Sequence, residues 1–126
     1  MYWKIFILMI LCHVIGDFVL QTDNMIKLKQ KSWWEEQTDD KKYKNDYKIA
    51  LLMHCLLWSA MILLPVIFCT KISGSALYWM FIINAFIHYI VDDMKANYKI
   101  LNLVQDQVIH LVQIFLTFLI IVFIFV

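Results

Sequence analysis

The chain has 126 residues, of which 63% are hydrophobic and 16% aromatic, whereas a soluble globular domain is roughly half apolar. So large an excess cannot be hidden in a core this small, which excludes an ordinary water-soluble domain and predicts a single all-α integral membrane domain with about four spans of roughly 20 residues each. The formal charge of +1 rests on eleven basic residues, all of them lysine. Without arginine there is no bidentate phosphate clamp, and the near-zero balance provides no polyanion-binding face, so nucleic acid is not an expected partner.

Four apolar runs follow in chain order, over about residues 2–20, 47–70, 75–91 and 104–126. Each is too long for a buried strand and apolar on nearly every face, as a lipid-facing helix is, and together they predict a four-helix bundle. The first run begins beside a lysine, like a signal peptide, but no small-residue cleavage pattern follows, and Ile10 and Leu11 precede Cys12 where a lipoprotein signal needs small residues. The run is therefore expected to be retained as a span. Cys12, Cys55 and Cys69 fall inside apolar runs without C-x-x-C spacing and read as small membrane-core residues.

The polar loop 22–46 separates the first two spans and is dense in Lys, Asp, Glu and Gln, with an aromatic pair at Trp33 and Trp34. Ser32 and Glu35 have capping-box spacing, at which a short interfacial helix would begin; the reading adopted is a solvated loop with an aromatic anchor. Residues 72–74 form a tight connection and 93–103 a short polar one. Lysine asymmetry orients the chain. Lys27, Lys29, Lys31, Lys41, Lys42, Lys44, Lys48, Lys95 and Lys99 belong to the first and third connections, against Lys4 and Lys71 on the opposite side. Loops 22–46 and 93–103 are then cytoplasmic and both termini lie on the outer side, where Tyr2, Trp3, Tyr78 and Trp79 fall in an aromatic belt.

Every histidine falls inside a span: His13, His54, His88 and His110. Counted from the lysine-rich ends at ~1.5 Å per residue, all four lie roughly 7 to 12 Å into the membrane, so four helices deliver imidazole to one layer. Asp17 follows His13 by four, Asp92 follows His88 by four, and Asp106 precedes His110 by four. That spacing places each pair on one helix face, with the aspartate nearer the cytoplasm. Asn84 extends the third stripe, Gln21 the first and Gln113 the fourth. Ionisable groups at membrane depth are expensive and mark function.

Imidazoles backed by carboxylates are the donor set of a divalent metal site, zinc first, with magnesium or manganese as alternatives that lean on the carboxylates. The expected ligands are His13, Asp17, His54, His88, Asp92 and His110, enough for one ion or two. Gln21, Asn84 and Gln113 are expected to support them. His54, with no acid on its own helix, fits a supporting donor as well as a ligand, and Asp93 reads as solvated. Asp17, Asp92 and Asp106 are the candidate catalytic carboxylates. A metal-activated water with an aspartate taking its proton describes a membrane-embedded hydrolase acting on a lipid or lipid-linked substrate at the cytoplasmic leaflet. The alternatives are a small proton- or metal-ion transporter using the same residues, or a binding or regulatory subunit whose polar pairs hold helices together. Lys95 reads as a snorkelling lysine, with an anionic headgroup contact as its alternative. A unit this small completes its pocket alone or as a homodimer.

His13-Val14-Ile15-Gly16-Asp17-Phe18-Val19-Leu20-Gln21, Asn84 with His88 to Lys95, and Asp106-Gln107-Val108-Ile109-His110 resemble the small bacterial membrane proteins grouped as the domain-of-unknown-function 3307 family, across essentially the whole chain. The resemblance implies a multi-pass protein of the bacterial inner membrane and brings no established activity. H-x-x-x-D in membrane helices is also similar to inner-membrane metal-dependent hydrolases, from which this chain departs in lacking H-x-x-x-D-x-D. On the expected orientation, a cysteine introduced by Asp40→Cys is shielded from an impermeant thiol reagent in intact cells; ready labelling would invert it.

Overall fold

The computed structural model describes residues 2–125 and contains no strand among them. Helix α1 (Tyr2–Val14) runs on through a π turn (Ile15–Val19); α2 (Asp23–Leu28) and α3 (Lys31–Gln37) form a short hairpin; and α4 (Asp46–Cys69), α5 (Gly74–Ala96) and α6 (Leu103–Ile120) are long, the last extended by a second π turn (Ile121–Phe125). Four stretches are long and apolar enough to cross a membrane: Tyr2–Val19, Lys41–Cys69, Gly74–Ala96 and Leu103–Ile124. They correspond to the expected spans, whose final residue, Val126, lies outside the described residues.

The ends differ for identifiable reasons. Helix α5 continues to Ala96 because Asp92, Lys95 and Asn97 all find partners beyond their own backbone. A capping box does form, but at Asn102 and Gln105, where each side chain bonds the other's backbone N–H and starts α6. Helix α4 passes through Pro65 without ending, as helices with neighbouring support do.

Around the bundle, α4 packs on α1 and α5, and α6 packs on α5 and α1, closing a ring. Trp3 and Phe6 of α1 pack against Phe118 of α6, so the start of the chain lies beside the far end of α6. In that half the interior is an apolar plug in which Met9, Trp58, Ile62, Val66 and Ile114 are wholly buried. In the other half the usual partition inverts. Leu11, Phe86, Ile90, Val108 and Val112 face outward, while all four histidines are no more than 2% exposed.

Residues 22–46 form short helices in place of the loop expected from their composition, and all but Lys29 stay at least partly exposed, as expected. Thr22 caps α2 through its hydroxyl, which accepts from the Met25 N–H, and α3 begins at Lys31, with no side-chain cap at its start and no capping box at Ser32. Trp34 is an anchor within the protein: its indole N–H donates to the Leu28 carbonyl at 2.8 Å and its ring stacks on Tyr43. The hairpin is clamped to the end of α5, where Asn97 accepts from the Lys31 N–H at 2.7 Å and donates to the Lys29 carbonyl at 3.2 Å. Asn97 also donates to Asp93 at 2.6 Å, giving that carboxylate a partner in place of the expected solvation.

The clamp delivers Lys29, 4% exposed, into the bundle, where its Nζ donates to Asp92 Oδ2 at 2.6 Å. Removing one member of a buried pair strands the other charge, so Lys29→Met is expected to destabilise the protein by about 3–5 kcal/mol, with Lys29→Met/Asp92→Leu recovering much of the loss. Unfolding in mild detergent measures both.

Candidate functional site

Trp58 organises the buried layer. It stacks on His88 with centroids 4.1 Å apart and planes 16° apart, and its indole N–H donates to His13 Nδ1 at 2.8 Å. Because an indole can only donate, His13 Nδ1 must be the acceptor and Nε2 carries the proton. That proton goes to Gln107 Oε1, 3.1 Å away. The amide is thereby oriented, and its nitrogen donates to Asp17 Oδ2 at 2.7 Å and to Asp106 Oδ2 at 3.0 Å. One donor on α4 thus fixes a tautomer on α1 and an amide on α6.

Beside this chain, His54 Nε2 lies 3.3 Å from His88 Nε2, 3.4 Å from Asp17 Oδ1 and 3.5 Å from Asp92 Oδ2. A single imidazole N–H cannot serve three neighbours, and a charge-assisted bond would draw one of them to roughly 2.7–2.9 Å. Ligands around a tetrahedral ion with bonds of about 2.0–2.1 Å stand ~3.3–3.4 Å apart along each edge. The spacing around His54 has that character, and one ligand atom each from Asp17, His54 and His88 lie within 4.8 Å of one another.

His88 Nδ1 lies 3.2 Å from His110 Nδ1, and His110 Nε2 lies 3.2 Å from Asp106 Oδ1 without hydrogen-bond alignment. Both of these last atoms are buried and unpartnered among the described residues, so Asp17, Asp106 and His110 form a second group of ligand atoms within 4.8 Å. Asp17 belongs to both groups. The other oxygen of Asp106 accepts from Lys95 Nζ at 2.7 Å. Lys95 therefore reaches inward to a buried carboxylate and is more than the snorkelling lysine its position suggested. A third group joins His88 and Asp92 with Cys55, a buried thiol whose place in the layer no cysteine spacing announced.

All seven expected His and Asp residues are buried in this layer, but their pairing differs from the stripe pattern. Only Asp106 and His110 face each other along one helix. The π turn displaces Asp17 from the face of His13 and turns it toward His54, since each π turn widens the helix by a residue. Asp92 meets Lys29 and His54. His13 has both ring nitrogens bonded outside the ligand groups, and His54, the histidine without an acid on its own helix, is central. Asn84 and Gln113 pair with each other at 2.9 Å, with Thr117 and the Met80 carbonyl completing that cluster, and no bond joins them to an imidazole among the described residues. Gln21 lines a cleft of about 330 Å³ shared with Asp17 and Gln107.

Lys29, Trp58, Cys55 and Gln107 were missed from sequence. Gln107 alone left a signal, being a polar residue next to Asp106 in a span. Its amide separates two carboxylates, so Gln107→Leu is expected to lose about 1.5–3 kcal/mol of stability. Gln107→Glu is expected to lose more, because it sets a third carboxylate between them, and thermal unfolding ranks the two.

No curated protein and no solved structure matches the chain. A family model described as "Protein of unknown function (DUF3307)" matches residues 5–126, nearly the full length, in agreement with the resemblance carried by the His13–Gln21 and Asp106–His110 motifs, and the chain belongs to that family.

Proposed function

We propose that the chain is a membrane-embedded, metal-dependent hydrolase acting on a lipid or lipid-linked substrate at the cytoplasmic leaflet of the bacterial inner membrane. The observation that carries this reading is the convergence of Asp17, His54 and His88 beside a cleft that Asp17 itself lines, with an apolar plug filling the opposite half of the bundle. Asp17, His54 and His88 would hold a divalent ion, zinc first, since two imidazoles and a carboxylate leave one position open. Such an ion supplies an activated water and Lewis-acid polarisation of the scissile group.

The chain's own residues supply the rest. His110, at 3.2 Å from His88 Nδ1, orients the ligand ring, and Asp106, held by Lys95, lies beside His110. Asp92, 3.5 Å from His54 Nε2 and held in place by Lys29 Nζ on its Oδ2, would take the proton of the attacking water. The run of imidazoles would also serve a proton or metal carrier, but a carrier needs access to both faces, and the plug of Met9, Trp58, Ile62 and Ile114 stands against that.

Elemental analysis of purified protein is expected to find about one equivalent of zinc per chain, lost in His54→Ala and His88→Ala and retained in His13→Gln. Asp92→Asn is expected to keep the metal and lose on the order of 10²-fold or more in lipid turnover in proteoliposomes. Wild type without stoichiometric metal would remove the hydrolase reading, and ion flux without turnover would decide for a carrier.

A further inference from the structure

The cleft above Asp17 has a lining that the hydrolytic site alone does not require. Three lysines, Lys29, Lys95 and Lys99, line it against one carboxylate, Asp17. They come from three separate places in the chain: Lys29 caps the end of α2, Lys95 lies in the last turn of α5, and Lys99 is in the link to α6. An ammonium has three N–H donors. Lys29 spends one on Asp92 and Lys95 one on Asp106, which aligns each stem while leaving donors for the cleft. Lys99 is exposed and holds φ at 57°, in the left-handed region that lysine adopts rarely and that glycine adopts freely.

The remaining lining is apolar. Phe18, Ile26 and Leu103 belong to the wall, and Phe18 and Leu103 are 53% and 55% exposed on the outer surface of the bundle. Lys29 and Lys95 are each neutralised by an aspartate but keep ammonium N–H donors for the cleft, which Lys99 joins at the rim. The cleft opens onto the exposed apolar surface of Phe18 and Leu103, which fits an amphiphile better than a soluble anion.

From this geometry we infer that the Lys29–Lys95–Lys99 cleft binds the phosphate of an anionic lipid headgroup, with the acyl chains leaving past Phe18 and Leu103. The inference rests on the hydrolase reading for what happens to the bound lipid, and it names the substrate class of that site as a phosphate-bearing lipid.

Native mass spectrometry of the full chain in detergent, titrated with phosphatidic acid or with phosphatidylcholine of the same acyl chains, tests it. The expected result is a preference for phosphatidic acid on the order of 10-fold, reduced roughly 3-fold or more by Lys95→Gln and by Lys99→Gly. Lys99→Gly is the informative variant, because relief of the left-handed strain should leave the fold equally or more stable while headgroup preference falls. Equal retention of the two lipids, or a preference untouched in both lysine variants, would overturn the inference. So would inorganic phosphate binding as tightly as phosphatidic acid with the same lysine dependence, which would make the cleft a free-phosphate site. Lysine-dependent preference in a protein that holds no metal would leave the headgroup site standing and remove the hydrolase. Metal-dependent turnover of lipid with no lysine-dependent preference would do the reverse.

Discussion

Three carboxylates held at one depth among four apolar helices must be compensated from within the protein, because a buried charge without a partner is among the most expensive features a fold can carry. Asp92 has the ammonium of Lys29 at 2.6 Å and Asp106 that of Lys95 at 2.7 Å. Asp17 differs. Among the described residues it meets the Gln107 amide and the ring of His54, and no lysine. The carboxylate without a fixed countercharge is thus the one shared by two groups of ligand atoms and the one that lines the cleft. Compensation of the layer and its proposed attraction for a cation follow from the same shortage.

This constraint gives the secondary elements their places. The α2–α3 hairpin covers the end of the bundle, and its packing supplies the lysine that Asp92 requires, with Asn97 and Trp34 closing the hairpin so that Lys29 is held inside. Helix α4 provides the boundary between the two halves. His54 and Cys55 belong to the polar layer, Ile62, Leu63 and Val66 to the plug, and Trp58 to both, stacking on His88 while its N–H sets the His13 tautomer. A polar network in a low-dielectric site is stable only when its members are satisfied. His13 and Gln107 meet that condition fully, whereas His110 Nε2 and Asp106 Oδ1 do not.

Much of this was legible in the chain. Hydropathy located four spans to within a few residues, because a membrane-crossing helix must be long and apolar whatever it packs against. That the four histidines share one level was legible too, since rise along a helix depends on sequence position alone. The resemblance to the family was carried by the motifs that hold these residues, and the family model matches residues 5–126. Partners were a different matter. The His13–Asp17 pair assumed regular α-helical turns, and one π turn redirected Asp17 to His54. The His88–Asp92 stripe was correct as a face of α5, yet each residue found its nearest partners on other helices. Lys29 looked like one of many soluble lysines in a polar segment, and no periodicity distinguishes the one that is buried.

The sequence by itself determined the class of the protein, its four helices and the presence of histidines and aspartates at one level, because hydrophobicity, helix length and rise are local properties. Tertiary structure decided which atoms meet. Helix rotation at the π turn, insertion of the hairpin and the position of Trp58 depend on contacts between residues far apart in the chain, His13 and Gln107 being 94 positions apart, and the requirement they satisfy, charge and hydrogen-bond balance in a dry interior, is a property of the assembled layer that no single segment carries.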